Sequence, residues 1–325
     1  MQLTTDLLNS IAERVIKEQK GVSRQEAEAI MDYPDLDAIC DAADKITRSL
    51  QPATVDSCSI VNARSGLCGE DCKWCAQSRH YSTGCKSYEF LPYEDTLSAA
   101  RHNEREGIRR FSLVTSGRTL SPASLKEFCR QYERLTAETG LYLCASMGLL
   151  NREDIQALKE AGVKRYHCNM ETSRKVFATL CSTHTPDDKL RTIGYAREAG
   201  MEICSGGIIG MGETPADRID FAFELADINP DSVPINILNP IPGTPLESTP
   251  LISEEEIIRT AAVFRFILPR QSIRFAGGRM RLSDKSMERM MRGGVNGVLM
   301  GDMLTTVSNQ IADDRKLFVK AGWEF

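Results

Sequence analysis

From about residue 53 onward, short apolar runs rich in β-branched residues alternate with longer segments whose apolar residues recur at helical spacing. The β-rich runs cover residues 55–63, 110–116, 141–148, 165–171, 202–210, 232–238, 272–278 and 297–302. Amphipathic stretches such as LKEFCRQYERLTAET and PDDKLRTIGYAREAG lie between them, and the recurring "EAG" before a run is typical of a helix that ends in glycine. This alternation indicates parallel strands joined by helical crossovers.

Eight such strands over about 250 residues have the size of a closed barrel. We therefore predict an α/β fold of the TIM-type (β/α)8 class over residues 51–325. An open, doubly wound sheet is the alternative for the same alternation. In a barrel, the functional residues gather at the C-terminal ends of the strands.

Residues 1–50 have a different pattern, without β-rich runs. The segment LLNSIAERVIKEQ has apolar residues at helical spacing, and Ser23 is followed at the right offset by Glu26, as in a helix capping box. We predict that this segment is an N-terminal helical extension of the barrel.

Composition and charge narrow the class of protein. The 325 residues are 42% hydrophobic and 26% charged, as in ordinary globular proteins, and the net charge of −5 provides no footprint for nucleic acid or for an anionic membrane. The chain has no run of about 18 apolar residues, and its first 20 residues lack the apolar core of a signal peptide. We expect a cytoplasmic protein with neither nucleic acid nor membrane as a partner.

The chain contains eleven cysteines, which cytosolic reductants would keep as thiols rather than disulfides. A single buried cysteine is usually inert packing, so the grouping of the cysteines is the evidence that matters.

Cys68, Cys72 and Cys75 form a C-x3-C-x2-C group in a glycine-containing loop directly after the first predicted strand. Three thiolates on one short loop can converge on a soft metal centre, and thiolate is the usual ligand of iron–sulfur clusters. Three ligands leave one iron of a 4Fe-4S cluster open, which is typical of a catalytic site. A zinc site completed by His80 is the alternative.

The cysteine spacing, with Trp74 before the last cysteine, resembles the signature of the radical S-adenosylmethionine (radical SAM) superfamily. The segments GLCGEDCKWCAQS, CSGGIIGMGET, SVPIN and RFAGGR together resemble the biotin synthase family, from about residue 37 to the C-terminus. The resemblance implies conversion of dethiobiotin to biotin, with a 5′-deoxyadenosyl radical abstracting hydrogen from two carbons in turn. It implies a 4Fe-4S cluster on the three cysteines, S-adenosylmethionine, and an auxiliary 2Fe-2S cluster that supplies the sulfur.

The same resemblance implies that Cys144, Cys204 and Arg274 are ligands of the auxiliary cluster. Both cysteines fall inside predicted strands, where an inward side chain points into the barrel. A protonated guanidinium has no free lone pair, so Arg274 could instead neutralise an anionic cluster and donate hydrogen bonds to sulfide.

One ligand position departs from the family pattern, because Ser112 stands where the family has its third cysteine. Serine oxygen is a harder and weaker ligand for iron in a sulfide cluster than thiolate. Either Ser112 binds through oxygen, or another cysteine such as Cys168 or Cys58 replaces it, or the cluster differs in nuclearity.

The resemblance also implies contacts to the two small molecules. Those to S-adenosylmethionine are expected from Trp74 and Ile208 at the adenine, Asn169 and Glu171 at the ribose hydroxyls, Thr115 at the methionine amine and Lys189 near its carboxylate. Asn236 is expected at the ureido ring of dethiobiotin, with Asn169 also near the substrate. The glycines of residues 206–212 are expected to let the backbone approach a ligand closely.

Two other classes of protein share part of this sequence pattern. Hydrogenase maturases and methylornithine synthases share the barrel and an "ETS" segment, but not the combination of Cys144, Cys204 and Arg274. A non-catalytic iron–sulfur or zinc protein would bind metal without cleaving S-adenosylmethionine. For an enzyme of the biotin synthase family, the resemblance further implies a flavodoxin- or ferredoxin-type electron donor and a homodimer.

Overall fold

A ring of parallel strands forms the centre of the computed structural model, which describes residues 3–301 and 311–325. The strands are β1 (Asp56–Arg64), β2 (Arg110–Thr115), β3 (Tyr142–Ser146), β4 (Arg165–His167), β5 (Glu202–Cys204), β6 (Gly207–Ile209), β7 (Ser232–Ile237), β8 (Ser272–Phe275) and β9 (Gly297–Met300). Their order is β5-β4-β3-β2-β1-β9-β8-β7-β6, and a pairing of Cys204 with Ser232 joins β5 to β7 and closes the ring. The TIM-type (β/α)8 barrel is therefore confirmed and the open sheet is wrong. The last residue of the eighth predicted run, 302, lies outside the described residues.

The predicted strand over 202–210 is two short strands, β5 and β6, that share one stave of the barrel. The break follows from close packing of the backbone. A Cβ at Gly206 would lie 2.1 Å from the carbonyl oxygen of Pro234, and a Cβ at Gly207 would lie 2.1 Å from that of Glu171. Glycine is therefore required at these two positions by the neighbouring backbone. The close approach of a ligand to residues 206–212 stays a prediction.

Helices follow the strands on the outside of the ring. They are α4 (Tyr93–Arg105), α5 (Pro122–Glu138), α6 (Arg152–Glu160), α7 (Arg174–Leu180), α8 (Pro186–Glu198), α9 (Pro215–Ile228), α10 (Glu254–Ile267), α11 (Asp284–Met291) and α12 (Ile311–Lys320), with a 3-10 turn at Arg279–Arg281. Gly162 and Gly200, which follow α6 and α8, have φ of 105° and 71°, as the "EAG" pattern predicted. In the described ranges, no helix has the length and apolar character needed to span a membrane.

The N-terminal segment is helical as predicted, with α1 (Thr5–Glu18), α2 (Arg24–Met31) and α3 (Leu36–Leu50). The capping box is present: the Ser23 amide donates to Glu26 Oε2 at 2.8 Å, and the Glu26 amide donates to Ser23 Oγ at 3.3 Å. α1 packs on α3, and both α2 and α3 pack on α10 of the barrel.

Successive side chains of a strand alternate between the apolar core outside the ring and the cavity inside the barrel. On β2, Phe111 and Leu113 are fully buried in the apolar core between strands and helices. Ser112 and Val114, the alternate residues, line a cavity inside the barrel. Cys144, Arg165 and Cys204 line the same cavity, so polar and sulfur-bearing side chains occupy much of the barrel interior, where branched apolar residues are usual.

Candidate active site

The predicted cysteine loop follows β1 and brings Cys68, Cys72 and Cys75 onto one cavity of about 200 Å³. Backbone hydrogen bonds hold the loop: the Cys68 amide donates to the Gln77 carbonyl at 2.9 Å, and the Cys75 amide donates to the Cys72 carbonyl at 3.0 Å. All three thiols are partly exposed to this cavity. We call it the upper cavity.

The entry to this loop requires a glycine. Gly66 has φ of 72°, in the left-handed region, and a Cβ there would lie 2.3 Å from Ser87 Oγ. The next residue, Leu67, also has positive φ, at 51°, and its side chain is 74% exposed. This turn directs the chain from the strand end into the cysteine loop.

The residues between the cysteines anchor the loop to the segment after α7. Asp71 Oδ1 accepts hydrogen bonds from the amides of Ser182 at 2.9 Å and Thr183 at 3.2 Å. Glu70 Oε2 lies 2.5 Å from His184 Nδ1. Burial opposes ionisation of Asp71, but the hydrogen bonds from Ser182 and its neighbours hold the pKa of that carboxyl well below its usual value.

Cys181 and His184, which sequence reasoning missed, lie beside the cysteine loop. Cys181 Sγ is 3.6 Å from Cys72 Sγ and 3.3 Å from His184 Nδ1. The hydrogen bond between the two thiols raises the pKa of Cys72 and lowers that of Cys181. His80, the partner in the zinc alternative, is exposed, and its Nε2 lies 3.0 Å from the Gly69 carbonyl oxygen. Of the described residues, the group that comes together with metal-ligand spacing is Cys72, Cys181 and His184, without His80.

Most residues predicted to contact S-adenosylmethionine line the upper cavity beside the cysteines. They are Trp74, Thr115, Asn169, Glu171 and Lys189. The Oγ1 of Thr115 is buried and has no hydrogen-bond partner within the described ranges, so a bound molecule can supply one.

Asn169 and Glu171 follow β4, and contacts with Gly206 and Gly207, where β5 ends and β6 begins, hold them in place. The Gly206 amide donates to Asn169 Oδ1 at 3.0 Å, and Asn169 Nδ2 donates to Glu171 Oε2 at 3.3 Å. Glu171 has φ of 75°, which its bridge to Gly207 maintains. A carboxylate and an amide are thereby fixed side by side at the cavity wall.

Trp74 and Ile208 form an apolar wall where this cavity meets a deeper one, since Trp74 lines both cavities and Ile208 lines the deeper one. Trp74 packs edge-on against Phe177 at a centroid distance of 6.3 Å. Both Trp74 and Ile208 pack on a small buried cluster of Leu180, Met211 and Leu238. This wall suits one face of a flat aromatic ring.

A second cavity of about 300 Å³, the lower cavity, lies deeper in the barrel. Its lining includes every residue predicted for the auxiliary cluster, together with Cys58, and consists of Cys58, Ser112, Cys144, Cys204 and Arg274 among others. Cys168, the other candidate for the missing ligand, lines the upper cavity instead. The structure therefore does not support Cys168 as a member of the lower set, because Cys168 packs in the apolar core while its neighbours His167 and Asn169 line the lower cavity.

Three arginines and two carboxylates lie at and beneath the floor of the lower cavity. Arg274 Nη2 lies 2.7 Å from Asp56 Oδ2, and Arg165 Nη1 lies 3.9 Å from the same oxygen. Arg110 contacts Asp56 Oδ1, and Arg165 Nε donates to Glu202 Oε2 at 2.8 Å. The floor therefore carries more positive than negative charge and suits an anionic group.

The three thiols of the lower cavity influence one another electrostatically. Burial raises the pKa of Cys144, and Cys58 and Cys204 raise it further. Burial also opposes ionisation of Cys204, but His167, whose Nδ1 lies 3.3 Å from its sulfur, lowers the Cys204 pKa to about 6. Sequence reasoning missed Arg165 and His167, although both fall on the inward face of β4 by simple alternation.

Asn236 also lines the lower cavity, as predicted for a substrate contact. Its amide already makes two bonds, because Nδ2 donates to the Gly207 carbonyl at 3.0 Å and Oδ1 accepts from the Gly277 amide at 2.9 Å. One N–H remains for a ligand.

Comparison with known sequences places this arrangement in a family. Residues 64–225 match the Radical SAM superfamily, and residues 234–324 match the Biotin and Thiamin Synthesis associated domain. A biotin synthase of Porphyromonas gingivalis is 48% identical over 300 residues, which cover 92% of this chain and 91% of that protein. A biotin synthase of Clostridium botulinum is 47% identical over 303 residues, covering 93% and 95%.

Solved structures share the fold at low identity. A methylornithine synthase has a TM-score of 0.82 at 18% identity, covering 95% of this chain and 96% of its own. HydG, a maturase of the FeFe-hydrogenase, has a TM-score of 0.82 at 16% identity, covering 99% and 75%. At this identity the likenesses show the fold alone, whereas the sequence relatives are about half identical over nearly the whole chain. The chain belongs to the biotin synthase family of radical SAM enzymes.

Proposed function

We propose that the two cavities divide the reaction between them. Cys68, Cys72 and Cys75 would hold the 4Fe-4S cluster in the upper cavity, and the lower cavity would hold the auxiliary cluster that supplies sulfur to dethiobiotin. One observation carries the proposal: both cavities share lining residues, among them Trp74, Asn169 and Glu171, so the two spaces adjoin. A substrate at the junction would be within reach of groups on either side.

Membership of the family implies a 4Fe-4S cluster, S-adenosylmethionine and an auxiliary 2Fe-2S cluster as cofactors, and dethiobiotin as substrate. When bound, the 4Fe-4S cluster supplies the electron that cleaves S-adenosylmethionine to methionine and a 5′-deoxyadenosyl radical. The donor set of the upper cavity fits this cluster, because it presents three thiols on one short loop. The protein contributes binding, orientation and exclusion of water.

Around the upper cavity, each predicted contact has a suitable chemical group. The Trp74 and Ile208 wall would bind the adenine, and Glu171, with Asn169, would accept and donate hydrogen bonds at the ribose hydroxyls. Lys189 is buried near Phe177 and would pair with the methionine carboxylate as a point charge. Thr115 would act at the methionine amine.

In the lower cavity, we assign Cys58 rather than Ser112 as the third protein ligand beside Cys144 and Cys204. Cys58 lines the same cavity as Cys144 and Cys204. Thiolate is a softer and stronger ligand for iron than serine oxygen. Ser112 Oγ is buried and unpartnered in the described part of the chain, so it would donate a hydrogen bond to the cluster instead.

Arg274 would act as a fixed positive charge at this cluster rather than through a nitrogen lone pair. Burial disfavours its charged form, but the neighbouring thiols raise its pKa, which supports a protonated guanidinium. Arg274 Nε has no partner in the described ranges and can donate to a sulfide. The remaining N–H of Asn236, together with Asn169, would contact dethiobiotin at the junction of the cavities.

The partners and location remain predictions from the family and from composition. A flavodoxin- or ferredoxin-type donor would dock at the cysteine loop, and the exposed Leu67 beside Cys68 supports this. A homodimer is expected from the family. The presence of eleven cysteines, all free, supports a reducing, cytoplasmic location. We also propose residues 1–50 as an extension packed on a barrel unit of residues 51–325.

The test is anaerobic turnover of the reconstituted protein with S-adenosylmethionine, a reductant and dethiobiotin. We expect 5′-deoxyadenosine, methionine and biotin, and loss of all three products with Cys72→Ala. Formation of 5′-deoxyadenosine without biotin would overturn the assignment of the lower cavity. The absence of S-adenosylmethionine cleavage would overturn that of the upper cavity.

A further inference from the structure

Cys181 and His184 have no role in the division of labour described above, yet they lie beside a cluster cysteine. Cys72 Sγ and Cys181 Sγ are 3.6 Å apart, and Cys181 Sγ and His184 Nδ1 are 3.3 Å apart. The three ligand atoms all lie within 4.8 Å of one another.

These distances are those of ligands around one tetrahedral metal ion. With Zn–S of about 2.3 Å and Zn–N of about 2.0 Å, tetrahedral geometry requires about 3.8 Å between two sulfurs and about 3.5 Å between sulfur and nitrogen. The Cys72–Cys181 and Cys181–His184 separations, at 3.6 and 3.3 Å, are close to these values, and the remaining pair lies within 4.8 Å. Three protein ligands leave a fourth position for water or for a carboxylate oxygen.

The surroundings of the three side chains are also those of a built site. Cys181 and His184 are both buried, at 7% and 8% exposure, so neither side chain moves freely in solvent. Two carboxylates face them, since Asp71 Oδ1 lies 3.3 Å from Cys181 Sγ and Glu70 Oε2 lies 2.5 Å from His184 Nδ1. Two thiolates and a neutral imidazole balance the charge of a divalent ion, and the carboxylates favour a cation further.

We propose that, in the protein without its 4Fe-4S cluster, Cys72, Cys181 and His184 bind one divalent transition-metal ion of the zinc type. Binding breaks the two S–H bonds, forms two metal–sulfur bonds and one bond from the metal to His184 Nδ1, and releases both thiol protons to solvent. The neutral imidazole then carries its proton on Nε2, and the Glu70 carboxylate gives up its hydrogen bond to Nδ1. No electron is transferred. Because Cys72 belongs to both ligand sets, the single ion and the cluster exclude each other.

The exclusion rests on the proposed assignment of Cys72 to the cluster, whereas the mononuclear site does not. Occupancy by zinc would therefore block cluster assembly, and displacement of zinc would be a step in activation. The alternative zinc ligands on the same loop are Cys68 and Cys75, so the experiment must remove them.

The direct test uses the full-length C68A/C75A double variant, purified without cluster under anaerobic conditions and titrated with Co²⁺. We expect one Co²⁺ per chain, with the visible bands of a tetrahedral site and the near-ultraviolet charge-transfer band of two thiolates. Adding C181A or H184Q should weaken Co²⁺ binding by at least about tenfold, since even outer-shell partners contribute that much to metal affinity. Adding C129A, at a half-buried cysteine of α5, is the matched control and should leave the Co²⁺ affinity unchanged.

Circular dichroism of each variant establishes that it is folded before titration. Absence of stoichiometric Co²⁺ binding by folded C68A/C75A, or equal affinity after C181A, would overturn the site. Neither readout involves S-adenosylmethionine or biotin, so failure of the proposed function leaves this result interpretable.

The competition has its own test in the protein with all three cluster cysteines. Wild type and C181A are preloaded with one equivalent of Zn²⁺, and formation of the 4Fe-4S cluster is followed by Mössbauer spectroscopy. We expect zinc to slow cluster formation in wild type. In C181A, the slowing by zinc should be about tenfold smaller, because zinc binds more weakly. Equal slowing in both proteins would overturn the competition.

Discussion

Arg274 donates a hydrogen bond of 2.7 Å from Nη2 to Oδ2 of Asp56 at the floor of the lower cavity. The same oxygen accepts from Ser272 Oγ at 2.7 Å, and the other faces Arg110. Asp56 is thus the carboxylate that ties β1 to β8 and that offsets much of the positive charge beneath the thiols. Its role is electrostatic as well as structural.

Asp56→Asn should destabilise the cluster-free protein by about 3 kcal/mol, because it leaves buried guanidinium groups without their counter-charge. The measurement is the free energy of unfolding from urea denaturation. Asp313→Asn is the control, since Asp313 pairs with Lys316 at an exposed surface, and it should change that free energy by less than about 0.5 kcal/mol. Similar losses in the two variants would contradict the role of Asp56.

The assignment of Cys58 predicts opposite results for two neighbouring substitutions. Cys58→Ala should abolish the auxiliary cluster signal in Mössbauer spectra and leave the 4Fe-4S signal intact, because it removes a thiolate ligand. Ser112→Ala should retain the auxiliary cluster with altered spectral parameters, because it removes only a hydrogen-bond donor. If Ser112→Ala loses the cluster and Cys58→Ala keeps it, serine is the ligand.

Glu171→Gln should weaken binding of S-adenosylmethionine by about tenfold. A hydrogen bond to a charged group contributes about 1.5 kcal/mol, and the substitution removes the charge. The dissociation constant is measured by equilibrium dialysis with the cluster-loaded protein. Glu198→Gln, at an exposed position that pairs with Arg152, is the control and should have no effect. Unchanged affinity in Glu171→Gln would remove Glu171 from the ribose contacts.

The break between β5 and β6 predicts a contrast between two glycines. Gly207→Ala should lower the free energy of unfolding by about 1–3 kcal/mol, because its methyl would overlap the Glu171 carbonyl. It should also weaken S-adenosylmethionine binding by displacing Glu171.

Gly194→Ala is the matched control for this substitution. Gly194 lies inside α8 with no atom within 4 Å of an added Cβ. Alanine there should raise the free energy of unfolding by about 0.5–1 kcal/mol through helix propensity. Equal effects at the two glycines would contradict the packing argument.

Much of the fold could be read from sequence because the relevant signals are short-range. The β-rich run over residues 110–116 predicted β2, which spans Arg110–Thr115, because strand preference depends on neighbouring residues. The capping box at Ser23 and the glycines after α6 and α8 marked helix ends for the same reason. The break in the fifth stave was missed, since it arises from the approach of Pro234 and Glu171 to two glycines rather than from the local sequence.

The sequence by itself determined the barrel class and the upper cysteine loop, because alternation and a C-x3-C-x2-C spacing act within a few residues of chain. Only the tertiary structure decided which distant side chains complete each site. It put Cys58 in the lower cavity and Cys168 in the apolar core beside the upper one, since the closure of the strands into a barrel decides which side chains share a cavity. It also brought Cys181, 109 positions away in the chain, to the sulfur of Cys72, through packing of the segment after α7 on the cysteine loop.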